Sequence, residues 1–286
     1  MRHRAVVLVA ALLASTACGA LPAGAGSTPA VLASTTILAD LVRNVAGPGV
    51  RVESIAPPGV EVEEYDPRPE DARRAADAKV VFVNGLDLDS WAEKLLQGSR
   101  ATVVTLSEGL PAIADNPHLW YDPQLAKRYV EKIRDALSAF DPAGTAGYAE
   151  RAAAYAAKLD ALDAELKSKV AVVPPARRVL ITSHDAYPYL ARAYGFTIVG
   201  FIQAEGGKDP SPAELATLVA EARRANVPAV FAEAGSSDRL AQALAREAGI
   251  RTVVTDLPPD SLGAAPLDSY IGLMRVIIDT MVAALK

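Results

Sequence analysis

Between Pro142 and the pair Pro174-Pro175 lies the chain's strongest helix-forming stretch, and it limits how the remainder can fold. From about Thr145 to Val170 alanine, leucine and charged residues dominate, and from Tyr148 onward neither glycine nor proline interrupts. That composition favours an unbroken helix of roughly seven turns. On either side, short apolar runs alternate with amphipathic stretches. Candidate strands fall at 30–33, 50–55, 79–83 and 102–106 before it, and at 179–182, 197–201, 229–231 and 251–255 after it. Candidate helices lie among them at 37–45, 71–76, 124–140, 213–225 and 239–248. Such alternation argues for parallel sheets with helices on both faces. The expectation is an α/β protein of two lobes, each a parallel β-sheet covered by helices, joined by one long rigid helix. The lobes would span 30–143 and 174–286, with the connecting helix at 144–173. A long helix inside a single domain fits the same pattern. In parallel sheets ligands gather at the loops that leave the carboxyl ends of the strands.

The first residues concern where the protein works. Arg2, His3 and Arg4 precede an apolar run from Ala5 to Ala14, about half the length of a membrane-spanning helix. A basic start, a short apolar run and small residues after it have the form of a secretory signal peptide over residues 1–17. Ser15-Thr16-Ala17-Cys18 then resembles a lipobox, which makes Cys18 the expected lipidated first residue of the mature chain. Ser15 stands where a lipobox usually has leucine, and cleavage after Ala17 or Ala20 to release the protein is the other outcome. Residues 18–29, rich in Gly, Ala, Ser and Pro, read as a tether. Cys18 is the chain's one cysteine, so no internal disulfide can form and the core alone must hold the exported fold.

Loss of residues 1–17 would leave 269 of 286, enough for one large domain or two lobes with a substantial core. Half the chain is apolar and the net charge is −5, which excludes a disordered chain. With no basic cluster, a nucleic-acid partner is not expected.

Of the chain's three histidines, His3 lies in the signal segment. His118 stands in Asn116-Pro117-His118-Leu119-Trp120-Tyr121-Asp122-Pro123, and His184 follows a candidate strand in Thr182-Ser183-His184-Asp185-Ala186-Tyr187. A lone loop histidine is most often a surface residue or a hydrogen-bonded strut. One in each proposed lobe of a histidine-poor chain points instead to a shared site.

Several segments, in order, resemble the metal-ion solute-binding proteins of bacterial ABC transporters, the cluster A-I group of zinc- and manganese-uptake lipoproteins. They are Ala33-Ser34-Thr35-Thr36-Ile37-Leu38-Ala39-Asp40, Asn84-Gly85-Leu86 with Trp91, and Pro117-His118-Leu119-Trp120 with Asp122-Pro123. Ser183-His184-Asp185-Ala186-Tyr187, Pro210-Ser211, Val230-Phe231 with Glu233, Thr255-Asp256, and a closing helix after Tyr270 continue the series. The resemblance implies a non-enzymatic clamp that holds one divalent transition metal, manganese or zinc, between two lobes. It also implies an ABC permease with its ATPase as partners, a lipid anchor in the membrane, and a monomer. Some relatives act as adhesins as well.

Carried over by motif, His118 matches the second ligand position, His184 the third and Asp256 the fourth. At the first position the family reads Pro-His-Glu-Tyr-Glu-Pro, and this chain reads Val62-Glu63-Glu64-Tyr65-Asp66-Pro67, so Glu63 replaces a histidine. A carboxylate binds the same divalent metals. Glu61 and Glu64 flank it with the same chemistry, and an acidic solvated loop with the ligand lost is the competing reading. Two imidazoles and two carboxylates suit manganese, while zinc also binds such sets tightly. The absence of a histidine-rich loop between the first two ligands leans towards manganese. Ligands must be deprotonated, so affinity should fall below about pH 6. Asp122, Asp185 and Glu233 are candidate supports for the histidines, with a helix cap the better reading of Asp185. Trp120 and Tyr187 read as packing residues. A metal-dependent hydrolase and a siderophore-binding protein are the alternatives; the first lacks His-Glu-x-x-His and Gly-x-Ser-x-Gly motifs, and the second sits poorly with 6% aromatic residues.

Overall fold

The computed structural model describes residues 31–203, 209–234 and 238–286; the signal segment, Cys18 and the tether lie outside the described residues. In chain order the elements are β1 (Val31–Ala33), α1 (Thr36–Ala46), β2 (Val52–Ser54), α2 (Pro69–Asp77), β3 (Val80–Val83), α3 (Trp91–Leu96), β4 (Thr102–Thr105) and α4 (Pro123–Phe140). After α5 (Thr145–Ala171) come β5 (Val179–Thr182), α6 (Pro188–Tyr194), β6 (Thr197–Phe201), α7 (Pro212–Arg224), β7 (Ala229–Glu233), α8 (Asp238–Ala248), β8 (Thr252–Leu257) and α9 (Tyr270–Leu285). Two four-stranded sheets result, ordered β2-β1-β3-β4 and β6-β5-β7-β8. Every strand pairing among the described residues is parallel. The second sheet repeats the order of the first, so each reverses direction beside its first strand and opens a crevice at the carboxyl ends there. The two-lobed α/β expectation is met.

Local chemistry explains several boundaries. Thr35 caps α1 by accepting from the Leu38 amide, and Ser211 and Glu214 form a capping box around Pro212 at the start of α7. Asp122 caps α4 ahead of Pro123, which suits a first helical turn. α3 and α6, of six and seven residues, were not anticipated. Segments so short have too little intrinsic helicity to stand out, and packing forms them.

The long helix α5 has 27 residues, about 40 Å at the usual rise. It buries Tyr148, Ala152, Tyr155, Leu159, Leu162, Leu166 and Val170, a stripe at three- and four-residue steps on one face. That stripe packs on α4, α1 and α9. One continuous core thereby includes Val31 and Phe82 of the first sheet, Leu180 and Phe231 of the second, and Leu159 and Leu166 of α5. Alternate residues face outward into smaller clusters. Leu32 and Val81 pack with Ile55 and Ala92, and Val230 and Ala232 pack with Leu218, Val219 and Leu244. Strands buried on both faces read as unbroken apolar runs, which is why they were legible. A core shared through α5 resists wide hinge motion, because opening the lobes would expose apolar surface at roughly 25 cal/mol per Å².

Candidate metal centre

The crevice between the sheets gathers side chains from the carboxyl ends of strands in both lobes. The segment after β2 carries Glu63, that after β4 carries His118, that after β5 carries His184, and that after β8 carries Asp260.

His118 is 2% exposed. The Asn116 side-chain oxygen lies 3.1 Å from both its backbone nitrogen and its Nδ1. An amide oxygen can only accept, so Nδ1 carries a hydrogen and Nε2 is the ring nitrogen turned into the crevice. Nε2 lies 2.9 Å from Oδ2 of Asp260 and 3.7 Å from Oε1 of Glu63. The loop itself is held by Asn84, which donates to the Pro117 carbonyl at 2.9 Å while accepting from the Tyr129 hydroxyl at 2.8 Å.

His184 approaches from the second lobe, its ring centroid 5.3 Å from that of His118. Nε2 faces Oδ2 of Asp260 at 3.7 Å, and Nδ1 faces Oε1 of Glu233, at the end of β7, at 3.4 Å. The Tyr187 hydroxyl donates to the same Glu233 oxygen at 3.1 Å. Glu233 therefore orients the His184 ring, and Tyr187 is a hydrogen-bonding support as well as a packing residue.

Among the described residues, Asp260 is the carboxylate that reaches both histidines. It is 6% exposed, and the Tyr121 hydroxyl donates to its Oδ1. His118, His184 and Asp260 each offer a donor atom within 4.8 Å of the others. Asp256, expected there, stands elsewhere: it is an exposed residue of β8, beside the buried Leu257. The reason is register. β8 continues one residue past Asp256, neighbouring side chains alternate between faces, and Pro258-Pro259 then carry the chain to the crevice before the next acid arrives.

Glu63 lies at the mouth, its side chain 32% exposed. Trp91 donates from Nε1 to the Val62 carbonyl at 2.8 Å, and the Tyr65 hydroxyl donates to Asp71 of α2 at 2.6 Å, so both neighbours of the acid pair are anchored. Asp122 is the cap of α4 and pairs with Arg192 at 3.2 Å. Asp185 contributes its backbone carbonyl, which accepts from the Asn116 amide at 2.5 Å.

Burial and mutual charge set the protonation of these groups. Burial works against a protonated His184, yet Asp260, Glu233 and Glu63 together lift its pKa to about 10. Burial pushes Glu233 up to about 8 against the pull of His184. For Asp260, burial is outweighed by the two histidines, which hold its carboxyl well below the usual range. Partial burial and the Asp260 carboxylate raise Glu61 as well. At neutral pH a proton on His184 occupies the position a dication would neutralise. Imidazole Nε2 atoms and carboxylate oxygens converging in a buried crevice form a set suited to a divalent transition metal.

Residues 31–284 match the family described as the periplasmic zinc-uptake complex component A. The chain belongs to this family. The iron-binding protein YfeA of Yersinia pestis is 33% identical over 263 residues, covering 88% of this chain and 84% of YfeA. The manganese-binding lipoprotein MntA of Halalkalibacterium halodurans is 32% identical, covering 98% of this chain and 97% of its own. Among solved structures, the periplasmic zinc-binding protein TroA from Treponema pallidum superposes with a TM-score of 0.83 at 29% identity, covering 91% of this chain and 99% of TroA. Membership makes this protein an extracytoplasmic metal-binding component of ABC transport and not an enzyme. No described helix is long and apolar enough to cross a membrane.

Proposed function

We propose that this member of the zinc-uptake component family captures one divalent transition metal, manganese or zinc, through Glu63, His118, His184 and Asp260, and delivers it to an ABC permease driven by its ATPase. The observation that carries the reading is the convergence of His118, His184 and Asp260 donor atoms from both lobes within 4.8 Å. Relatives named for iron, manganese and zinc support a cargo of this class. Glu63 is the natural fourth donor because its carboxylate faces His118 at 3.7 Å from an anchored loop. In this reading residues 30–143 and 174–286 are the halves of the clamp, 144–173 is the strut, and the monomeric chain is tethered outside the membrane through a lipid on Cys18.

Capture exchanges a proton for a metal. His184 gives up its proton, the dication neutralises Asp260 and Glu63, and Glu233 turns the freed imidazole towards the ion. Because the donors come from both lobes, binding stabilises the closed arrangement. Release follows when local movement of a ligand loop lowers the donor count, without separating the shared core.

The test is a melting-temperature titration of the chelator-stripped body, residues 27–286, with manganese, zinc, iron(II), calcium and magnesium. Free ion at a thousand times its dissociation constant adds about 4 kcal/mol, which for a chain this long raises Tm by about 8 °C. Shifts confined to transition metals support the reading. Equal shifts with magnesium and calcium, or none at all, reject it.

A further inference from the structure

Asp260 follows the last strand of the second lobe, yet hydrogen bonds tie its segment to the first. Ser261, 4% exposed, accepts at Oγ from the Gly59 amide at 2.9 Å. Its Oγ also lies 3.3 Å from Oγ1 of Thr36, the first residue of α1. Thr36 Oγ1 in turn accepts from the Leu262 amide at 2.8 Å. Asp260 itself accepts from Tyr121 and faces His118. Beyond bonds within its own turn, the segment 260–262 reaches the second lobe's polar groups only through His184, at 3.7 Å, among the described contacts. Gly59 belongs to the segment that carries Glu63 four residues on.

We propose that Ser261 is a positioning residue that, with Thr36, latches the Asp260 segment to the Gly59–Glu63 segment, so that both carboxylates meet and leave the metal together. This rests on the metal-binding reading above. A bare carboxylate on a free loop would be drawn to bulk water. Fastened to its neighbour, Asp260 stays facing His118, and the second lobe's own contribution to the cage is His184 oriented by Glu233. The clamp then divides unequally, with Glu63, His118 and Asp260 held on one side and His184 on the other. Opening the latch frees two donors in one step, which turns a tightly held ion into one that can depart.

The hydroxyl contacts are of ordinary strength, so their loss should change dissociation by about tenfold. Manganese dissociation from the mature chain into excess chelator is timed, and amide exchange at Gly59 and Leu262 is followed without metal. In S261A, dissociation is expected to accelerate about tenfold with association nearly unchanged. Exchange should rise at Leu262 as well as Gly59, although the Leu262 amide bonds to Thr36. T36V should reproduce both effects from the other side of the latch, and T36S, which keeps the hydroxyl, should restore wild-type behaviour. Wild-type exchange at Leu262 in S261A overturns the latch whether or not metal binds. So does a lower Tm with unchanged dissociation, which would make the hydroxyl purely structural. If the wild-type chain binds neither manganese nor zinc while S261A still releases both amides, the metal reading fails and the latch survives as a contact between lobes.

Discussion

The two lobes share one strand order, and each offers a histidine to the crevice, but they hold it differently. In the first lobe His118 is 2% exposed, and an amide oxygen fixes its hydrogen on Nδ1. In the second, the His184 side chain is 22% exposed and stands between two carboxylates, which lift its pKa to about 10. A neutral hydrogen-bond acceptor fixes a tautomer; anionic ones also bind a proton. Both rings meet Asp260, His118 at 2.9 Å and His184 at 3.7 Å, but the other nitrogen of His118 meets a neutral amide oxygen while that of His184 meets the Glu233 carboxylate. The same fold and residue type give one ring held by an amide and one held by an acid, because the group behind each ring differs in charge.

The sharpest way to break this comparison is to remove the acid that serves both histidines. D260N should weaken manganese or zinc binding by about a hundredfold or more, since it also leaves buried groups without their counter-charge. D256N should stay within about twofold, and isothermal titration of both variants would reverse the assignment if the effects were exchanged. H118A should approach D260N in severity.

The proton on His184 yields the next effect. If one proton leaves as metal enters, affinity should rise about tenfold per pH unit between pH 6.5 and 8. Titrations at pH 7 in buffers of different ionisation enthalpy should count close to one proton released. A flat profile across that range would mean that His184 enters the metal-free site neutral. With the proton held on His184, the acid-side loss expected below about pH 6 starts well above it.

Metal-free stability tests the same asymmetry. The folded-state pKa of His184 lies above its ordinary 6.5, so its ion pairs contribute fully below about pH 6.5 and are lost as pH rises towards 10. Asp260 is depressed, so its contribution is present above its ordinary 3.8 and disappears as pH falls below that. Chelated protein should therefore lose Tm from pH 7 to 10, while metal-loaded protein should hold nearly constant. Parallel curves would count against the assignment. E233Q should lower the His184 pKa in metal-free protein, seen by following its ring protons through a pH titration.

The smallest loss is expected at the mouth of the crevice. E63Q should cost about tenfold in affinity, less than D260N, because its partly exposed carboxylate is screened by water. A loss equal to that of D260N would make Glu63 a full partner of the buried acid.

Much of this was legible in the chain. Apolar runs such as Val80–Val83 are buried on both faces of a sheet, and their composition alone declares it. The stripe from Tyr148 to Val170 needs only a period of three and four residues to be read as the long helix. His118 and His184 stood out through rarity and placement after strands. Asp260 did not, because Asp256 sat nearer the expected strand end and only the true end of β8 distinguishes them. Asn116 and Tyr121 lay inside a quoted motif without a role, since nothing local says that one will meet an imidazole nitrogen and the other a distant carboxylate. Periodicity and capping act over a few residues, so the sequence determines the strands, the long helix and the order of the lobes. Which acid meets both histidines, and that Ser261 fastens its segment to the opposite lobe, depend on contacts up to 226 residues apart, and only the packed chain decides them.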